Sequence, residues 1–375
     1  MRLVDLTLHR AQVPLVSPFT TSFGTETVRD VLILALRAEV DGTAVVGWSE
    51  CVAGSEPLYS SEYVDGASDV IRRWLAPMLF AAGELSAQTV AGVFDPVKGH
   101  RMAKAALETA VLDAQLRAQG RSFAEHLGVT RTSVPSGVSV GIHDSVASTL
   151  DAVAGYLDQG YVRIKLKIRP GWDIQPVAAV RDRFGADIPL QVDANAAYTL
   201  ADTAALRRLD AFGLLLVEQP LGEEDLRQHA ELARRISTPV CLDESVVSAA
   251  AAADAIALGA CSVINIKPGR VGGYLEAWRI HDLARAHGVA VWCGGMLETG
   301  IGRVANAALA GLPGFTLPGD ISGSDRFYAT DLTEPVCMRD GAVEVPRTPG
   351  ISREPIPERL AQFASAEPAV LRPGR

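Results

Sequence analysis

Between residues 164 and 267 five apolar runs each end on a charged side chain: IKLK at 164–167, LQVD at 190–193, LLVE at 215–218, VCLD at 240–243 and INIK at 264–267. The terminal residues Lys167, Asp193, Glu218, Asp243 and Lys267 lie 26, 25, 25 and 24 residues apart. That spacing is one strand plus one returning helix, the length of a βα unit. Working outward, short apolar runs recur at 136–140, 162–168, 189–192, 213–217, 239–242, 262–266, 290–293 and 315–317, with amphipathic stretches between them and no hairpin turns. Eight such runs predict parallel strands joined by helices and closing into a (β/α)8-type barrel, a catalytic domain spanning residues 126–327.

One charge at a strand end is as readily an ion pair facing solvent as a functional group. Five in phase mark a shared site at the C-terminal ends of strands two to six, where barrel enzymes carry their chemistry. Asp193, Glu218 and Asp243 fall on adjacent strands, and three neighbouring carboxylates stay ionised only beside a cation. Nearby Lys and Arg side chains could supply that charge. An all-oxygen set without His or Cys points instead to a hard divalent ion, Mg²⁺ above all, with Mn²⁺ or another divalent ion as a substitute.

Strands two and six are half a turn apart in an eight-strand ring, so Lys167 and Lys267 are expected to face one another. Lys165 shares the inward face of Lys167 because strand side chains alternate. A lysine is a poor base at its ordinary pKa of about 10.4, and positive charge from the metal, the second lysine and Arg270 is expected to lower it. A divalent ion between two opposed amines suits removal of a proton α to a carboxylate, to give a stabilised enediolate.

Residues 1–125 have an α+β texture: apolar alternation at 3–13 and 31–40, a turn signal at Asp41-Gly42, and helical periodicity over 102–119 ending at Gly120. Two polar loops, 17–27 and 50–62, carry the bulky Phe19, Phe23, Leu58 and Tyr59 and are expected to reach the substrate. The tail, 328–375, returns to short strands and loops and is expected to pack back on this first domain.

Composition excludes several classes. Of the 375 residues 48% are apolar and 21% charged, the profile of a globular chain. A net charge of −9 would repel nucleic acid. Five cysteines without a C-x-x-C pair argue against a disulfide framework or a zinc knuckle. The apolar stretch 248–266 is interrupted by Asp254 and Gly259, which argues against a membrane span. No export signal is visible in MRLVDLTLHRAQVPL, so a cytoplasmic location is expected. The histidines show no H-E-x-x-H, and Gly300-x-Gly302 lacks the third glycine of a dinucleotide fingerprint.

The motifs K-x-K (165–167), V-D-A-N (192–195), E-Q-P (218–220), D-E-S (243–245) and N-I-K-P-G-R (265–270) resemble those of the enolase superfamily, and a lysine on strand six resembles its muconate-lactonizing subgroup. The segments V-P-S-G-V-S-V-G (134–141), W-C-G-G-M-L-E-T-G-I-G-R (292–303) and L-P-G-D-I-S-G-S-D-R-F-Y (317–328) resemble the o-succinylbenzoate synthase / N-succinylamino acid racemase family. The resemblance implies an α/β fold, a modified TIM barrel of (β/α)7β type with an α+β capping domain. It implies Asp193, Glu218 and Asp243 as Mg²⁺ ligands, Lys167 as base with Lys165 as its support, and Lys267 as the opposed lysine. Ser139, Asn195, Arg270, Gly294, Gly295, Met296, Phe19 and Phe23 are candidate substrate contacts.

A small carboxylate substrate and a homo-oligomer, dimer to octamer, are expected. The implied activity is dehydration to o-succinylbenzoate in menaquinone biosynthesis, with N-acylamino acid racemisation beside it or as the main role. Dipeptide epimerases carry Asp-x-Asp where this chain reads Asp320-Ile321-Ser322. A muconate cycloisomerase would differ only in the pocket. A non-catalytic binding barrel gives no reason for two lysines around three carboxylates.

Overall fold

The computed structural model describes every residue except Ser22, Phe23 and Arg375. The candidate contact Phe23 therefore lies outside the described residues. Three antiparallel strands open the chain: β1 (Arg2–Thr20), β2 (Thr25–Val40) and β3 (Thr43–Cys51). Asp41 and Gly42, with φ of 50° and 80°, make the left-handed pair that a two-residue hairpin requires. The stretch 17–27, expected as a loop, is mostly the far end of the first hairpin. Pairing resumes at Phe19↔Glu26 and Thr20↔Thr25 after a register shift beyond Pro14. Threonine keeps such a ladder going without burial, which a reading based on polarity misses.

The sheet packs on the helix Arg101–Ala118, thirteen of whose residues are buried, Leu107, Val111, Ala114 and Glu108 among them. Gly47 on β3 is what lets the two layers meet: a Cβ there would lie 2.0 Å from the Ala110 carbonyl oxygen.

After β4 (Ser133–Pro135) come seven parallel strands: β5 (Gly137–Val140), β6 (Arg163–Lys167), β7 (Leu190–Asp193), β8 (Val217–Glu218), β9 (Val240–Leu242), β10 (Val263–Ile266) and β11 (Ala290–Cys293). Their order in the sheet follows the sequence, each hydrogen-bonded to the next. The eighth run, 315–317, forms no strand. Pro313-Gly314 and Pro318-Gly319 flank it, and proline cannot donate to a ladder. It closes the ring through single bridges instead, Val291↔Phe315 on one side and Ser136↔Gly319 on the other. Asp320 N donates to the Cys293 carbonyl at 3.0 Å and Gly137 N to the Gly319 carbonyl at 2.8 Å.

The tail divides. Strands β12 (Met338–Arg339) and β13 (Ala342–Glu344) extend β4, while β14 (Ala369–Leu371) pairs with β1. No helix among the described residues is long and apolar enough to cross a membrane.

Buried carboxylates tie the first domain to the tail and to the barrel. Asp113 accepts from Trp48 N at 2.7 Å, Ile351 N at 2.7 Å, Ser352 N at 3.0 Å and Arg117 Nε at 2.6 Å. Glu50, at the end of β3, accepts from Thr299 N at 3.1 Å and from the Thr299 hydroxyl, at the start of the helix Gly300–Ala310. Burial pushes the Glu50 carboxyl up to about 8 despite the Thr299 bond. An acid raised above its unfolded value of about 4.3 costs stability as it ionises, so Glu50's contribution is complete below roughly pH 4 and lost on the way to about pH 8. The melting temperature should therefore fall between roughly pH 5 and pH 8. Glu50→Gln, which keeps an acceptor for Thr299 N, should flatten that fall; identical slopes for the two proteins would show that Glu50 is ionised throughout.

Candidate active site

The register of the parallel sheet puts the charged residues side by side: Lys167 pairs with Asp193 and Asp193 with Glu218, while Asp243 and Lys267 each follow the last residue of their strands. Asp193, Glu218 and Asp243 are buried, and cationic side chains meet all three. Lys167 Nζ lies 2.7 Å from Asp193 Oδ2 and donates to Asn195 Oδ1 at 2.6 Å. Lys165 Nζ stands 2.5 Å from Asp320 Oδ2, 3.0 Å from Glu218 Oε2 and 3.2 Å from Asp193 Oδ2. On the other side Lys267 Nζ donates to Asp243 Oδ2 at 2.7 Å and to Tyr59 Oη at 2.9 Å. Arg270 pairs with the second oxygen of Asp243 and donates to the Asn265 carbonyl at 2.8 Å.

The turns just past the strands are held in unusual backbone. Asn195, Ala196 and Gln219 have φ of 41°, 61° and 36°, costly for residues with a Cβ. Side-chain bonds hold these turns. Asn195 N donates to Asp193 Oδ1 at 3.0 Å, Asn195 Nδ2 to Glu244 Oε1 at 3.0 Å, and Gln219 Oε1 accepts from Asp243 N at 3.0 Å and Ser245 N at 3.2 Å. Below the charges the apolar side chains of Leu216, Cys241, Val263 and Trp292 form the floor, with Lys165 Nζ 4.8 Å from the centre of the Trp292 ring.

The electrostatics follow from this pairing. Burial alone would pull Lys165 down, but Asp320, Glu218 and Asp193 outweigh it and hold the ammonium above the ordinary lysine value. Lys267 is likewise raised, burial being overcome by Tyr59, Glu244 and Glu218. For Lys267 that is the reverse of the lowering expected beside a divalent ion, because the groups around its ammonium here are carboxylates and a tyrosine. Burial lifts Asp193, yet Lys167 and Lys165 bring it well below the usual carboxylate range. Glu218 is raised, first by burial and then by Asp193.

As they stand, among the described residues, no three acidic, histidine or cysteine side chains are grouped tightly enough to hold a metal ion. The lysine ammonium groups and Arg270 are on the carboxylate oxygens instead, which is the ion-pair alternative open at the sequence level. The donor chemistry still fits a hard divalent cation: three buried all-oxygen groups end three neighbouring strands, each already beside positive charge.

Above the charges lies a cavity of about 230 Å³. Lys165, Lys167, Lys267, Asn195, Ser139, Gly295 and Met296 line it from the barrel, and Phe19, Leu58 and Tyr59 from the cap. Gly294 and Arg270, also candidate contacts, do not line it. Gly294 packs under Lys267, and Arg270 is buried behind Asp243. The sequence reading missed Asp320, Asn265, whose Nδ2 donates to Glu218 Oε1 at 2.7 Å, and the tie from Tyr59 to Lys267. Asn265 had a signal, since it stands two residues before Lys267 and so shares its face. Tyr59 was marked only as a bulky loop residue and Asp320 only as part of a resembling segment, because irregular segments carry no period that would assign them partners.

The chain matches the family described as mandelate racemase / muconate lactonizing enzyme, N-terminal domain, over residues 3–128, and the family described as enolase C-terminal domain-like over residues 148–359. It is 62% identical over 367 residues to an N-succinylamino acid racemase from Amycolatopsis sp, covering 98% of this chain and 99% of the relative. It is 44% identical over 362 residues to an o-succinylbenzoate synthase from Geobacillus kaustophilus, covering 95% of each. The crystal structure of an enolase-superfamily member from Listeria innocua Clip11262, 37% identical, superposes with a TM-score of 0.94 over 99% of both chains.

Gly294 offers a test of how tightly the lysine is placed. A Cβ there would lie 2.4 Å from Asn265 Oδ1 and 2.8 Å from Lys267 Cε. Gly294→Ala should displace Lys267 and cost about 100-fold in turnover, the usual effect of a misplacement near 1 Å. Wild-type kcat in that variant would show that Lys267 tolerates the shift.

Proposed function

The chain belongs to the enolase superfamily, in the family that contains o-succinylbenzoate synthases and N-succinylamino acid racemases, and from that premise we propose that it is an o-succinylbenzoate synthase that also racemises N-succinyl- and other N-acylamino acids. The dehydration takes 2-succinyl-6-hydroxy-2,4-cyclohexadiene-1-carboxylate to o-succinylbenzoate, a step of menaquinone biosynthesis. One observation carries the reading: Lys167 held on Asp193 and Lys267 held on Asp243, both lining one cavity, with the buried carboxylates between their strands. Both reactions begin with loss of a proton α to a carboxylate, so one pair of amines serves both.

Asp193, Glu218 and Asp243 are the residues that would hold a divalent cation, Mg²⁺ in our reading; divalent-metal dependence is general in this superfamily. When bound, that ion supplies the Lewis-acid charge that stabilises negative charge building up on the substrate carboxylate. In dehydration Lys167 takes the α-proton. The elimination being syn, it returns a proton to the hydroxyl leaving from the same face, and the products are the aromatic ring and water. Lys267 contributes positive charge throughout. In racemisation each lysine is base for one enantiomer and acid for its mirror image. Lys165, wedged among Asp320, Glu218 and Asp193, positions these carboxylates and balances their charge.

Racemisation as the main role is the second reading, favoured by the 62% identity to a protein named for that activity. Values of kcat/KM on the two substrates rank them. The five cysteines are all free, which suits a reducing compartment, and we place the enzyme in the cytoplasm.

Deuterium exchange in D₂O checks the two-amine arrangement. Wild type should exchange the α-proton of both enantiomers of an N-succinylamino acid. Lys167→Ala should lose exchange with one enantiomer and Lys267→Ala with the other, each by at least about 100-fold. A single-lysine variant that still racemised at the wild-type rate would sink the arrangement. Turnover should also stop in excess chelator and in Asp243→Asn while circular dichroism stays native. Activity under either condition would remove the metal assignment.

A further inference from the structure

Six cationic side chains line the cavity: Arg29, Lys165, Lys167, Lys267, Arg303 and Arg326. The three lysines are matched by the strand-end carboxylates and Asp320, and Arg303 by Glu298 at 3.0 Å. Arg29 is buried and donates to the Val52 carbonyl at 2.8 Å, which turns it away from a ligand. Arg326 differs. Half-buried, it forms no ion pair with a carboxylate among the described residues; its partners are the Ser139 carbonyl, the Tyr156 hydroxyl and the rings of Tyr156 and Phe327.

Its Nη2 donates to the Ser139 carbonyl at 2.6 Å, and its guanidinium stacks 4.8 Å from the Phe327 ring centre and 5.1 Å from that of Tyr156. Phe19, from the cap, meets Phe327 edge-on at 6.3 Å. A guanidinium fixed flat by stacking keeps its fork of donors for a planar, two-oxygen partner. Ser139 lies opposite Lys165 in the ladder.

We propose that Arg326 binds a second carboxylate on the substrate, the terminal one of a succinyl arm whose methylenes run along Phe19 and Phe327. The proposal rests on the reading above, which puts the α-carbon between Lys167 and Lys267. It makes this end of the cavity a dicarboxylate site, one that favours an anionic acyl arm over a neutral arm of the same shape.

The experiment compares racemisation of N-succinylphenylalanine with that of its succinamide analogue, in which the terminal carboxylate is a carboxamide. Wild type should favour the acid by about 10- to 100-fold in kcat/KM, mostly through KM, as one charge-assisted hydrogen bond predicts. Arg326→Gln should bring that ratio close to one, and Arg326→Lys, which keeps the charge without the fork, should restore part of it. A ratio near one in wild type, an unchanged ratio in Arg326→Gln, or an equal loss on both substrates would overturn the role of Arg326 while leaving the two-lysine chemistry in place. If Arg326→Gln fails to fold, the wild-type ratio and Arg326→Lys decide alone. A wild type that turned over neither substrate, nor the cyclohexadiene acid, would remove the underlying reading and this proposal with it.

Discussion

Carboxylates cannot be buried at the mouth of a barrel without cations to match them, and most of this molecule's organisation answers that requirement. Asp193, Glu218, Asp243 and Asp320 are met by Lys165, Lys167, Lys267, Arg163 and Arg270, all at hydrogen-bond distance. Each of these groups costs several kcal/mol to desolvate alone, and removing one partner strands the others. The parallel register is what makes the pairing possible. It brings Lys167, Asp193 and Glu218 into line on consecutive strands, and Lys165 Nζ reaches both of the carboxylates that stand side by side.

The same logic governs the joints between the first domain, the tail and the barrel. Asp113 and Glu50 are buried acceptors for backbone N–H groups that arrive from distant parts of the chain: Asp113 gathers Trp48, Ile351 and Ser352, and Glu50 caps the start of a barrel helix. An unmet backbone donor in such a place costs as much as a lost hydrogen bond. Cap and barrel are therefore held in one relative position, with Tyr59 delivered from the cap to Lys267.

How far the sequence could be read follows from what repeats in it. The strand-end charges recur every 24 to 26 residues, and that period both located the barrel and picked out Lys167, Asp193, Glu218, Asp243 and Lys267 as one group. The limits are equally physical. Phe315–Leu317 has the composition of a strand, but the prolines around it deny it a ladder. The 17–27 segment looks polar enough for a loop, yet Thr20 and Thr25 still pair across it. Asp320 and Tyr59 lie on irregular segments whose positions are set by closure of the ring and docking of the cap. No local period announces them. Arg270 was legible as a charge close to Lys267 but not as a buried partner of Asp243, since that contact depends on the turn after β10.

The segment that closes the barrel has a consequence of a different kind. The reacting groups sit on staves anchored by hydrogen bonds on both flanks, whereas Asp320, Arg326 and Phe327 follow from a stretch joined to its neighbours by a single bridge on each side. Chemistry and substrate shape are thus carried by different parts of the ring, joined where Asp320 meets Lys165. A site built this way accepts a new arm on its substrate by remodelling one edge, so long as Asp320 keeps its place beside that lysine. Breadth of substrate, on this view, is a property of how the ring is laced shut.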